Sequence, residues 1–104
     1  MRALVYTGTK KSEMRDVPLP KASLGQTVID IAFSGLCGSD MHAWHGHDER
    51  RVPPLVLGHE AVGVATDGPM QGARVAINPL MTCGSCDCCL HGNEHLCAQR
   101  ELIG

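Results

Sequence analysis

Residues 83–97 read Cys83-Gly84-Ser85-Cys86-Asp87-Cys88-Cys89-Leu90-His91-Gly92-Asn93-Glu94-His95-Leu96-Cys97. Four of these cysteines, Cys83, Cys86, Cys89 and Cys97, fall in the spacing C-x2-C-x2-C-x7-C. Each two-residue gap lets neighbouring sulfurs converge on one ion from a tight turn. The longer gap lets the chain loop back and close a fourth corner. Zinc prefers four such ligands in a tetrahedron, with Zn–S near roughly 2.3 Å, and four thiolates leave no open position. A closed site of this kind is structural: it holds a loop with too few apolar residues to fold by burial. Gly84 and Gly92 supply backbone freedom at the turns between ligands. A disulfide knot is the competing reading and the weaker one, because adjacent Cys88 and Cys89 pair poorly and nothing else marks a secreted chain. Cys88 is left as a spare thiol, packed or exposed.

Outside this lobe, 104 residues suffice for one domain with a modest core. Nine basic and 11 acidic residues give a net charge of −2, so no basic field points to nucleic acid or a membrane surface. With one Trp, one Tyr and one Phe, base-stacking platforms are not expected either. No apolar run approaches the roughly 20 residues that span a bilayer, and the N-terminus lacks a signal-peptide core. The expected setting is a reducing cytoplasm.

Gly and Pro punctuate a series of short strands. Ala3 to Tyr6 and Glu13 to Val17 suit a first pair, ended by Pro18-Leu19-Pro20. Thr27 to Phe33 alternates and is β-branched, with Val28, Asp30 and Ala32 on one face and Ile29, Ile31 and Phe33 on the other. Ser39 or Asp40 is a good N-cap for a short helix over Met41 to His45. Leu55 to Leu57 leads into Gly58-His59-Glu60. Ala61 to Ala65 and Arg74 to Ile77 read as further strands around an Asp67-Gly68-Pro69 turn, and Asn78-Pro79 breaks the second. The pattern predicts a mainly β chain: a small, partly open β-barrel carrying a metal loop and short helices.

A second metal site is suggested by Cys37, at the end of the central strand, and His59-Glu60, opening the next one. A thiolate and an imidazole at strand ends can meet across a barrel mouth. With Glu60 or water they would make an open zinc site, the arrangement that catalytic zinc uses. Each signal is common by chance, since a lone Cys after a strand is usually a small buried hydrophobe.

The motifs Gly35-Leu-Cys-Gly-Ser-Asp-Met-His and Leu57-Gly-His-Glu-Ala-Val-Gly, followed by the four-cysteine lobe, resemble the zinc-dependent medium-chain alcohol dehydrogenases in order and spacing. Cys37-Gly-Ser-Asp-x-His-x-Trp44 and Ala76-Ile-Asn-Pro79 are similar to the polyol and sugar-acid branch, such as sorbitol and L-idonate dehydrogenases. The resemblance implies an N-terminal GroES-like catalytic domain followed by a nicotinamide-binding Rossmann domain. It implies Cys37 and His59 as catalytic zinc ligands, with Glu60 either ligating directly or standing just behind. Asp40 would orient His59 from the second shell. Ser39 would take the substrate alcohol's proton, and His42 would release it to solvent. Trp44 would line the cleft or simply sit in the core. His45, His47, His91 and His95 are not expected to be ligands.

The sequence contains no G-x-G-x-x-G and no βαβ unit, so residues 1–104 are expected to be the front part of such an enzyme and inactive alone. The Val64 to Arg74 connection is expected to be a tight hairpin. The complete enzyme is expected to oxidise a small secondary alcohol or polyol, to use NAD or NADP besides zinc, and to form a homo-oligomer. The alternatives are a non-catalytic zinc-binding module, which leaves Cys37, Ser39, Asp40, His42, His59 and Glu60 unexplained, and a chaperonin-like ring subunit, which has no use for zinc. A redox switch built on Cys86, Cys88 and Cys89 is a secondary reading.

Overall fold

The alternating, β-branched run does form the central strand, displaced by two residues toward the glycine that ends it. In the computed structural model, which describes all of residues 1–104, the elements run β1 (Arg2–Gly8), β2 (Lys11–Asp16), β3 (Ile29–Gly35), α1 (Gly38–Trp44), β4 (Leu55–Val56), β5 (Glu60–Ala65), β6 (Arg74–Ala76), β7 (Leu80–Met81), α2 (Asp87–Leu90) and β8 (Glu101–Leu102). The strands form three sheets in the orders β2-β1-β4, β3-β5-β6 and β7-β8. The fold is therefore mainly strands with two short helices, as expected, and the sheets do not close into a barrel. No helix is long and apolar enough to cross a membrane.

The β1–β2 hairpin turns on Lys10, held at φ 57°, and the Lys10 amide donates to the Trp44 carbonyl at 2.7 Å. That bond ties the end of α1 to the hairpin. At Gly46, φ 81°, a Cβ would press on the Thr9 hydroxyl, so the chain leaving α1 passes the turn at a distance only glycine permits. The small core gathers here: Ala3, Val5 and Tyr6 of β1 and Ala43 of α1 are buried, while β2 is exposed along its whole length.

The expected two-faced burial of the Thr27 to Phe33 segment is not realised. Thr27 and Val28 lie outside β3, and Asp30 to Ser34 are exposed on both faces. Phe33 is 75% exposed, and Val62 and Val64 are exposed on the same side, so one face of the β3-β5-β6 sheet is an uncovered apolar surface; the register shift before Phe33 turns Ile31 to the other side, opposite Gly63. Alternation marks which residues share a face; it cannot say what packs on that face. The expected helix over Met41 to His45 begins three residues earlier, with Cys37 at the cap and Asp40 inside the first turn. The Asp67 turn tightens into a 3-10 turn at Gly68–Met70, and β5 and β6 form a hairpin through the Val64↔Arg74 pair, with a connection over residues 65–73 that is longer than the expected tight turn.

Between Ile31 and Phe33 the β3–β5 register slips by one residue. The bulge brings the Asp30 carbonyl onto the α-carbon of Gly63, where a Cβ would collide with backbone atoms that cannot rotate away. Gly63→Ala is therefore expected to destabilise the chain by about 1–3 kcal/mol, the usual cost of overpacking. The reading is a lower urea midpoint with unchanged slope; an unaltered midpoint would refute the account.

Candidate metal centres

Cys83, Cys86, Cys89 and Cys97 come together as the spacing predicts, with all four sulfurs within 4.8 Å of one another. The Cys86–Cys89 and Cys83–Cys89 separations are 3.5 and 3.9 Å. A tetrahedron with Zn–S of roughly 2.3 Å has sulfur–sulfur edges of about 3.8 Å, so these separations bracket the requirement. Local backbone bonds build the cluster. Leu90 and His91 amides donate to Cys86 and Asp87 in α2, and the Cys97 amide donates to Glu94 to return the last sulfur, which is fully buried. Gly84 and Gly92, at φ 69° and 75°, occupy the left-handed region that the two reversals require. No disulfide forms among these residues.

The thiols are unequally poised. The Ser85 and Cys86 backbone amides and the Ser85 hydroxyl point at the Cys83 sulfur, which lowers its pKa to about 6; the Cys86 amide is 3.3 Å away. At Cys86 the Cys89 amide acts in the same direction. Hydrogen bonding to the Cys89 sulfur and burial outweigh it, and the Cys86 thiol is pushed up to about 12. Such a cluster holds one ready thiolate at Cys83, and a cation would be needed to draw the proton from Cys86.

The second cluster is Cys37, His59 and Glu60, each offering one ligand atom, all within 4.8 Å. Two junctions deliver them. Cys37 caps α1 just past β3, while His59 and Glu60 open β5, which pairs with β3 so that Gly35 lies opposite Glu60. Asp40 sits behind them, 4% exposed. Its Oδ2 accepts the Cys37 amide at 3.0 Å, and its Oδ1 lies 3.3 Å from His59 Nδ1. Both Oδ1 and Nδ1 are buried with no aligned hydrogen bond. With Nδ1 turned to the carboxylate, Nε2 is the nitrogen left for the thiolate and Glu60. A buried imidazole–carboxylate pair that is incompletely satisfied, beside a soft sulfur and a further carboxylate, is a donor set that suits zinc.

Ser39 and His42 stand three residues apart on α1, both exposed, with no hydrogen bond between them. The His42 ring meets His47 edge-on at 5.0 Å, and His45 Nδ1 lies 2.7 Å from the Met41 carbonyl. Trp44 is half-buried with its edge against His45. His91 lies against its own helix at the Asp87 carbonyl, His95 is exposed, and Cys88 stays outside the quartet. Gly35 was not anticipated as a site residue. Any Cβ there would strike the Glu60 carboxylate, and a glycine two residues before Cys37 was the only sequence trace of it.

The profile of the alcohol dehydrogenase GroES-like domain matches residues 23–104. The chain belongs to that family. It is 39% identical, over its whole length, to an alcohol dehydrogenase of Geobacillus stearothermophilus and 35% identical, over 99% of its length, to the sorbitol dehydrogenase of Bacillus subtilis. Its fold superposes on a short chain alcohol dehydrogenase from E. coli CFT073, solved with NADH, at a TM-score of 0.87 and 29% identity, covering all of this chain and 32% of that one. It covers 34% and 32% of the two sequence relatives, so the chain spans about a third of the proteins it matches.

Proposed function

We propose that this chain is the metal-binding part of a zinc-dependent dehydrogenase that oxidises a secondary alcohol or polyol and passes hydride to a nicotinamide. Residues 1–104 form its GroES-like catalytic portion, and turnover requires a dinucleotide-binding portion supplied elsewhere. The convergence of Cys37, His59 and Glu60 with Asp40 behind them carries this reading. A purely structural zinc module accounts for the Cys83–Cys97 quartet and gives no reason for that second cluster.

Cys37, His59 and Glu60 would hold a catalytic zinc, and Cys83, Cys86, Cys89 and Cys97 a structural one. Zinc bound at an open site acts as a Lewis acid that makes an alcohol easier to deprotonate. Oxidising that alcohol removes a proton and a hydride, and this chain's residues deal with the proton. Ser39, exposed on the first turn of α1 two residues from Cys37, is the hydroxyl that takes it. His42, one turn further and exposed, passes it to water. Asp40 serves as a positioning residue: it fixes the His59 tautomer and, through the Cys37 amide, the start of α1. Glu60 needs the space that Gly35 leaves.

Elemental analysis of the purified chain is expected to give two zinc ions, one for each cluster. Cys37→Ala should retain only the lobe ion, and Cys97→Ala should lose that ion together with the local fold. One equivalent in the wild type, unchanged by Cys37→Ala, would falsify the catalytic-site assignment. Asp40→Asn keeps an acceptor for the Cys37 amide but loses the charge facing His59. It should weaken the first site about 10–100-fold in chelator competition and leave the lobe unaffected.

A further inference from the structure

The end of α1 and the turn after it read His42-Ala43-Trp44-His45-Gly46-His47, which puts three imidazoles into one short stretch. The backbone reverses at Gly46, φ 81°, and the His47 amide donates to the His42 carbonyl at 3.1 Å. That bond folds His47 back toward the helix, so its ring neighbours both of the others. The His42 and His47 ring centres are 5.0 Å apart, with planes at 70°. Those of His45 and His47 are 5.9 Å apart, with planes at 24°. Neither of the two clusters described above uses any of these residues.

An imidazole bound to zinc through a nitrogen at roughly 2.0–2.1 Å has its ring centre about 3.2 Å from the ion. Two such rings on one tetrahedral ion therefore stand about 5.2 Å apart. The separations of 5.0 and 5.9 Å lie on either side of that value. His42 and His47 are exposed, so their rings turn toward a shared ion without disturbing the core. His45 is already oriented. Its Nδ1 lies 2.7 Å from the Met41 carbonyl, which can only accept, so the ring proton sits on Nδ1 and the Nε2 lone pair is free. A ring N–H given to a backbone carbonyl is a usual support of a metal-ligating histidine. Asp48, the next carboxylate along the chain, is taken up by the Arg50 guanidinium at 2.9 Å on each oxygen. The donors are therefore imidazoles, which suit zinc, copper and nickel rather than the oxygen-seeking magnesium and calcium.

We propose that His42, His45 and His47 form a third metal site, an exchangeable one, for zinc or another divalent ion that prefers imidazole. All three ligands come from residues 42–47, so one turn of backbone assembles the site and no residue near either end of the chain takes part. It has fewer ligands than the quartet and no thiolate, so dialysis should strip its ion and leave the tightly held zinc in place. The site itself is independent of the dehydrogenase reading. One consequence rests on that reading: an ion on His42 takes up the lone pair that a departing proton needs, so metal binding here would close the proton exit.

Zinc chloride titrated by calorimetry into the dialysed chain, which keeps its tightly held zinc, tests this. One further equivalent should bind saturably, and magnesium should not compete for it. His47→Ala and His45→Ala should each weaken that equivalent about tenfold or more, since losing even a ligand's supporting partner has an effect of this size. His95→Ala, which removes an exposed histidine of the lobe, should change nothing. Cys37→Ala should leave the further equivalent in place, which separates this site from the one proposed for catalysis. The absence of a further equivalent, or one that survives both His45→Ala and His47→Ala, would overturn the proposal. A loss in Cys37→Ala that His47→Ala does not share would overturn it as well, as would equal losses in His95→Ala and His47→Ala. Should His47→Ala fail to fold by circular dichroism, His45→Ala carries the same expectation of weakened binding.

Discussion

The antiparallel register that sets Gly35 opposite Glu60 governs the architecture of the open site. It brings the exit of β3 beside the entrance of β5, so Cys37 and His59, 22 positions apart in the chain, reach one point. No side chain at position 35 obstructs the carboxylate across the pair. Asp40 then locks the arrangement from behind, joining the α1 cap to the imidazole with one carboxylate. Backbone pairing thus does the long-range positioning, and a single buried acid does the fine alignment.

Apolar burial supplies little of the order seen here. Eight of 104 residues are buried, and the radius of gyration of 15.2 Å exceeds the roughly 13 Å of a compact domain this size. The small core under α1 and the β1–β2 hairpin cannot organise residues 83–97, which contribute one buried residue, Cys97. In the proposed reading metal-ligand bonds would fill that role, as they do in other small folds short of core. The apolar face around Phe33 likewise contributes nothing to a core, because no other element of the chain covers it.

The sequence made some features plain and hid others, and the division follows the range of the interaction. The quartet was legible because its geometry is local: gaps of two residues fix which sulfurs can meet, and four thiolates leave little choice of metal. The strands were legible from alternation and glycine or proline stops, within a few residues. The open cluster was weak as isolated residues, because Cys37 and His59 meet only through a sheet register that alternation does not specify. It gained weight from the motif order shared with the dehydrogenases. The burial of β3 was misjudged for a related reason: an alternating pattern reports two faces, and Ile31 and Phe33 have nothing to cover them. Gly63 and Gly35 matter through close approaches across strands, which no one-dimensional reading contains.

The Cys83–Cys97 lobe leaves and rejoins the rest of the chain at one place. The two-residue β7–β8 pair, Leu80 with Leu102 and Met81 with Glu101, clamps its ends together, and the backbone hydrogen bonds of the loop are internal. An insert with adjoining ends disturbs no register elsewhere. In evolutionary terms the lobe is a cassette: a lineage could lose it, lengthen it or replace its sulfurs with apolar packing. The β3–β5 pairing that holds Cys37 beside His59 would carry on unchanged.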